Sequence, residues 1–204
     1  RLRENLSRAA GLPVALVQAD ILKNLVPVLR EHRLPTVYDA VLLDVPCSNT
    51  GVMRHQVDVK WRLQPGDFKK HPRQQLSLLH AAARCVAPGG RLVYSTCSID
   101  AEENEHVIAA FFTSRAGEAF ESVSSIASRP WETGHDGGAA FLLEGRRLST
   151  HGTAVTAKEQ EGTGENETTG DVLHGCTVPE STLMVLGKKD STPAFRLGCC
   201  KCRQ

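Results

Sequence analysis

Residues 41–51 read VLLDVPCSNTG, and the reading of this stretch fixes the class of fold. Val41, Leu42 and Leu43 form an apolar run that closes on Asp44. That is the pattern of a buried strand reaching its exit. Open α/β sheets bind ligands outside the carboxyl ends of their strands. Asp44 and Cys47 therefore fall where chemistry is expected.

Working outward, the chain repeats the same pattern on both sides. Upstream, residues 1–10 read as a helix that stops at Gly11. A strand over Val14–Gln18 then ends at Asp20, and Ile21–Arg30 reads as a short helix or loop interrupted by Pro27. The quoted strand covers Val37–Leu43. Asp20 and Asp44 each close a strand. Two such acids can grip polar groups of a ligand, or simply cap the turn that follows. Downstream, residues 51–66 carry Arg54, His55, Lys60 and Arg62 around Trp61. This segment suits phosphate and base contacts, or is a solvated loop with Trp61 tucked inward.

A helix is predicted over Phe68–Val86 from the spacing of Leu76, Leu79, Ala83 and Val86, with Asp67 as its cap. Pro88-Gly89-Gly90 turns the chain into a third strand, Arg91–Tyr94, that leads to Cys97. Asp100 and Glu103 have capping-box spacing, so the next helix is expected over Ala101–Ser114. A last strand is expected near Ala139–Leu143. Strand-then-helix units of this kind predict an α/β chain with a parallel sheet covered by helices.

The 204 residues carry a net charge of +1, which points to no particular partner. The distribution says more. Residues 1–99 hold 14 Lys/Arg against 7 Asp/Glu, and residues 100–204 hold 10 against 16. A basic front half suits a polyanion, although such asymmetry also arises by chance. Seven cysteines, three of them spread through the α/β part, fit reduced thiols in a cytoplasmic protein better than a disulfide framework. No apolar run reaches the length of a membrane span. After Arg147 the composition turns rich in Thr, Gly and Glu, which predicts a disordered linker over 148–175. The segment beyond it holds Cys176, Cys199, Cys200 and Cys202. Cys199, Cys200 and Cys202, with Cys176 or His174, could hold zinc, but the spacing is no clean C-x-x-C pair, and no metal is expected.

Cys47 in DVPCS and Cys97 in YSTCS both follow strand ends. Cysteines on such turns can be exposed, and a lowered pKa there makes a thiolate nucleophile. These turns carry a resemblance. LLDVPCSNTGVMRHQVDVKWR and QQLSLLHAAARCVAPGGRLVYSTCSIDAEENE resemble the RNA 5-methylcytosine methyltransferases of the NOL1/NOP2/Sun group, and among them the bacterial enzymes acting on ribosomal RNA. The resemblance covers about residues 1–145, with Ala139 and Ala140 where an aromatic is more usual. It implies a Rossmann-like class I S-adenosylmethionine-dependent methyltransferase sheet, incomplete at its N-terminal side. The catalytic-domain portion is then residues 1–147, and 148–204 is a tail without counterpart.

The resemblance also implies roles. Cys97 maps to the thiol that attacks carbon 6 of cytosine, and Cys47 to the thiol that assists release of the methylated base. Asp44 maps to an acid near both cofactor and base, and Asp20 to one that faces the adenine of S-adenosyl-L-methionine. Pro46 would fix the turn that presents Cys47. Lys60, Trp61 and Arg62 match a segment that contacts RNA. The group's glycine-rich cofactor loop, and the acid that binds the ribose hydroxyls, would precede Arg1. The chain is therefore expected to be part of a longer protein and to bind cofactor poorly alone. The contrasting expectation is a non-catalytic RNA-binding remnant that uses only the basic front half.

Overall fold

The computed structural model describes residues 15–147, together with the backbone of residues 183–187 and 195–198. The short strand β1, Leu16–Val17, leads through a turn at Asp20 to helix α1, Val26–Glu31. Pro27 lies in the first turn of α1, where a missing N–H costs nothing. Strand β2, Tyr38–Asp44, ends on the expected acid. A 3₁₀ turn at Thr50–Val52 and the four-residue helix α2, Val59–Arg62, then lead to the long helix α3, Asp67–Ala83. Strand β3, Val86–Thr96, a 3₁₀ turn at Ala101–Glu103, and helix α4, Glu105–Phe112, follow. Strand β4, Phe120–Ser128, the short helix α5, Pro130–Thr133, and strand β5, Gly138–Gly145, complete residues 15–147. Strands β6, Leu183–Gly187, and β7, Phe195–Gly198, belong to the same sheet.

The sheet has the order β1-β7-β6-β2-β3-β5-β4. Strands β2 and β3 are parallel, with Asp44 opposite Ser95. β1 and β7 also pair in parallel, and elsewhere the expectation of a parallel sheet needs correction. β5 runs antiparallel to β3, β4 to β5, and β6 to β2. The sheet is mixed because β4 and β5 are joined as a hairpin through α5 rather than by a helical crossover, and a hairpin reverses direction.

Alternation along β2 explains the core. Tyr38, Val41 and Leu43 are buried, while Ala40, Leu42 and Asp44 are exposed. The buried set joins Leu92 and Tyr94 of β3, Leu78, Leu79 and Ala82 of α3, and Val107 and Phe111 of α4 in one apolar cluster. Each fully buried leucine contributes about 1.5–3 kcal/mol relative to exposure. Helix α3 ends at Ala83, earlier than the predicted Val86, because Pro88-Gly89-Gly90 is looped out of β3 and Val86 already pairs with Tyr38. Gly89 has φ +73°, a conformation glycine takes without strain.

Two stretches of the segment read as a tail have described backbone, and both are strands, β6 and β7. The linker over 148–175 and the zinc reading of His174, Cys176, Cys199, Cys200 and Cys202 lie outside the described residues, as does the predicted helix over residues 1–10.

Candidate active site

Strands β2 and β3 lie side by side and run the same way, so their exit turns meet. The first turn carries Cys47 and the second carries Cys97. Their sulfur atoms lie 3.0 Å apart. Asp44 sits at the end of β2, where its Oδ1 accepts a hydrogen bond from Ser95 Oγ at 2.9 Å. Its charge acts on Cys97. Three of the four residues expected at the site thus come together. Asp20 lies beyond β1, and its Oδ1 accepts the backbone N–H of Leu22 at 3.0 Å. No described hydrogen bond joins it to either cysteine. β1 and β2 nonetheless run in the same direction, through β7 and β6, so both acids lie at the same end of the sheet.

The contact acts on the two thiols in opposite directions. The hydrogen bond from Cys47 lowers the pKa of Cys97, against burial and the charges of Asp44 and Glu103, which raise it. The same contact, with burial, raises the pKa of Cys47. Cys97 is therefore the sulfur favoured to ionise first, and either sulfur can donate across the contact while both are protonated. Asn49 accepts from both sulfurs, at 3.0 Å from Cys97 and 3.4 Å from Cys47.

Beneath the sulfurs a buried polar network ties the turns together. Glu103 is fully buried and takes the backbone N–H of Ser48 at 2.9 Å, His71 Nδ1 at 3.0 Å and Gln75 Nε2 at 3.1 Å. Gln75 Nε2 also donates to the carbonyl of Pro46 at 2.9 Å. Burial alone would raise the Glu103 pKa, but the bonds from His71, Ser48 and Ser98 outweigh it and hold the pKa low. A charged acceptor thus anchors the turn of Cys47 from α3 and from the 3₁₀ turn at once. The capping-box reading of Asp100 and Glu103 is corrected here. Glu103 bonds Ser48 instead of reaching back, and the N–H of Asp100 goes to Ser98 Oγ at 3.1 Å. Asp100 accepts from Thr50 at 2.6 Å and from Ser98 at 3.1 Å, a second link between the turns.

Gly51 completes the assembly. Its N–H donates to the carbonyl of Cys97 at 3.0 Å, and its own carbonyl accepts from Gly137 at 2.7 Å. A Cβ at Gly51 would lie 2.4 Å from the Gly137 oxygen and 2.7 Å from the Cys97 oxygen. Only glycine fits between them. To one side, Trp61 is 79% exposed, so the inward-tucked reading fails, and Lys60 Nζ lies 4.9 Å from its ring centroid. Arg54 donates to the carbonyl of Gly134 at 2.6 Å, and His55 pairs with Asp136 at 3.3 Å. These contacts brace residues 51–62 against the loop before β5.

Sequence reading missed Asn49, His71 and Gln75, and it took Glu103, in the motif EENE, for a local cap. Among the described residues no group of His, Cys, Asp and Glu could hold a metal, and no helix is long and apolar enough to cross a membrane. Cys47, Cys85 and Cys97 are free thiols.

The mixed sheet, with an acid and two thiols on adjoining parallel exits, places the chain in a class, the Rossmann-like methyltransferase fold. The crystal structure of PH0851 matches with a TM-score of 0.61 at 31% identity, over 71% of this chain and 34% of that one. A methyltransferase homologue protein from Pyrococcus horikoshii matches at 0.56 and 25% identity, over 72% and 48%. Within that class, the chain belongs to the 16S rRNA methyltransferase RsmB/F family, whose model matches residues 1–141. The probable ribosomal RNA small subunit methyltransferase B of Coxiella burnetii is 46% identical over 77 residues, 38% of this chain and 18% of that protein. The match thus covers less than a fifth of that relative's length.

Proposed function

We propose that this chain carries the thiol half of an enzyme that methylates carbon 5 of cytosine in ribosomal RNA, with S-adenosyl-L-methionine as methyl donor. The observation that carries the reading is the 3.0 Å contact between Cys47 and Cys97, which lowers the Cys97 pKa and raises that of Cys47. Membership of a ribosomal RNA methyltransferase family supports the substrate class.

Carbon 5 of cytosine is a poor nucleophile. Cys97, as thiolate, adds to carbon 6 and breaks the conjugation of the ring, so that carbon 5 becomes enamine-like. S-adenosyl-L-methionine, when bound, supplies an electrophilic methyl group to that carbon. Loss of the carbon 5 proton to water then restores the double bond and expels Cys97 as thiolate. Cys47 assists by giving the departing sulfur the same hydrogen bond that it gives the free thiolate. Asp44, beside the pair, accepts from the amino group of the cytosine and holds the ring in place.

The donor set at this end of the sheet suits the methyl donor. Two carboxylates, Asp20 and Asp44, follow strands separated by three strand spacings, about 14 Å. Acceptors of this kind bind the amino and hydroxyl groups of an adenosyl amino acid. Lys60, Trp61 and Arg62 offer a cation and a stacking face to unpaired nucleotides, and the target base must leave any stack to reach Cys97. Free thiols at the centre of the reaction suit a reducing compartment, the cytoplasm.

The test uses the longer protein that contains this chain and RNA with 5-fluorocytosine at the target. Fluorine cannot leave as a proton does, so the adduct persists. A covalent complex is expected, and Cys97→Ala is expected to abolish it. An adduct that survives Cys97→Ala but is lost in Cys47→Ala would reverse the two roles.

A further inference from the structure

Asn49 stands between the two cysteine turns, and no resemblance assigned it a role. Its backbone is left-handed, φ 64° and ψ 23°. Asparagine and glycine take that conformation more readily than other residues. It brings Oδ1 within 3.0 Å of Cys97 Sγ and 3.4 Å of Cys47 Sγ. The other end of the amide, Nδ2, donates to Gln56 Oε1 at 2.9 Å.

An acceptor suits two protonated thiols. It opposes a thiolate, which needs donors. A half-turn of the amide exchanges Oδ1 and Nδ2 at almost constant shape. Gln56 carries the same kind of group and is exposed, so it can turn in step and donate to Asn49 where it had accepted.

We infer that Asn49 is a further catalytic residue, presenting its carbonyl to the thiol pair and its N–H to the Cys97 thiolate, with Gln56 turning against it. This rests on the reading of Cys97 as the nucleophile. The groups facing Cys97 are Cys47, which donates to it, and the carboxylates of Asp44 and Glu103, which oppose its charge. His71 is bonded to Glu103. The Asn49 N–H is thus a second donor set against two acids.

The experiment measures alkylation of Cys97 by iodoacetamide across the range of thiol ionisation, in the full chain, with peptide mass spectrometry to separate the cysteines. It needs neither RNA nor methyl donor. Failure of the nucleophile assignment would show in the fluorocytosine adduct and not here. Asn49→Gly keeps the left-handed backbone and removes the amide. Asn49→Asp keeps the shape and replaces the donor with a carboxylate. For Asn49→Gly the Cys97 midpoint is expected to rise by about one pH unit, with alkylation about tenfold slower below it. Asn49→Asp is expected to raise it further. Should Asn49→Gly unfold, Gln56→Leu leaves Asn49 in place without its partner and is expected to raise the midpoint in the same direction. Midpoints that coincide with that of the parent chain overturn the proposal.

Discussion

Glu103 shows how much of the site rests on one buried charge. It accepts from three residues on two elements, and its removal leaves the N–H of Ser48, Gln75 and His71 without this acceptor. Glu103→Ala is expected to cost about 3 kcal/mol in urea unfolding, the range for a buried charged partner lost. The pH dependence has a definite sign. Folding lowers the pKa of Glu103 from its ordinary 4.5, so the stability it contributes is present above that value. It is lost as pH falls through the depressed value in the folded state. Thermal melts taken down through this range are expected to fall steeply in the parent chain and less steeply in Glu103→Gln, which does not titrate. Cys47, Cys97 and Asp44 were legible in the sequence because each follows a strand end, and strand ends are where α/β sheets work. Glu103 was misread because its spacing from Asp100 fits a local cap. Its true partner, Ser48, lies 55 residues away, and no local rule reaches that far. Asn49 gave no signal, since its role depends on two sulfurs that only the fold brings together.

At the scale of elements, the close approach of three backbones explains why the turns hold their shape. Gly51 is bonded to Cys97 on one side and to Gly137 on the other. Gly51→Ala places a methyl group against two backbone oxygens, which cannot swing aside as a side-chain end does. A loss of about 1–3 kcal/mol is expected in chemical unfolding, as for overpacking elsewhere. Slower alkylation of Cys97 should accompany it, because the displaced turn carries the thiol pair apart. Strand β2 and helix α3 were legible because their apolar residues recur at the right period and end in turn residues. Strand β4 was not. Glu121–Ala127 are all exposed, with Val123 and Ile126 among them, so FESVSSIAS shows no buried face. The strand exists because it pairs along β5, past a bulge between Ser122 and Ser124. Backbone pairing of that kind leaves no mark in an amphipathic pattern.

For the whole molecule, the sheet joins the two ends of the sequence. β1 and β2 are linked by α1 yet are not neighbours, and β7 and β6 lie between them. β6 pairs with β2 from Ala40 to Asp44, and β7 pairs with β1 at Leu16 and Val17. The sequence reading passed over these strands because they follow the Thr-, Gly- and Glu-rich stretch 148–175, although Leu183–Gly187, LMVLG, is an apolar run of strand length. The position of Asp20 relative to Asp44 depends on these inserted strands, whereas the thiol pair does not. The network around Cys47 and Cys97 is built from residues 46–104, β3 among them, and from Gly137 before β5. Deletion of residues 148–204 therefore separates the two halves of the site. It leaves β2 with an open edge beside the core and β1 without its partner strand, and an unpaired edge of that length templates association. The chain ending at Arg147 is expected to melt at lower temperature by circular dichroism. It should also self-associate with rising concentration in sedimentation velocity, while Cys97 keeps its alkylation midpoint. An unchanged melting temperature in a monomeric truncated chain would mean that β6 and β7 add nothing to the sheet. A shifted midpoint would mean that the thiol pair depends on them.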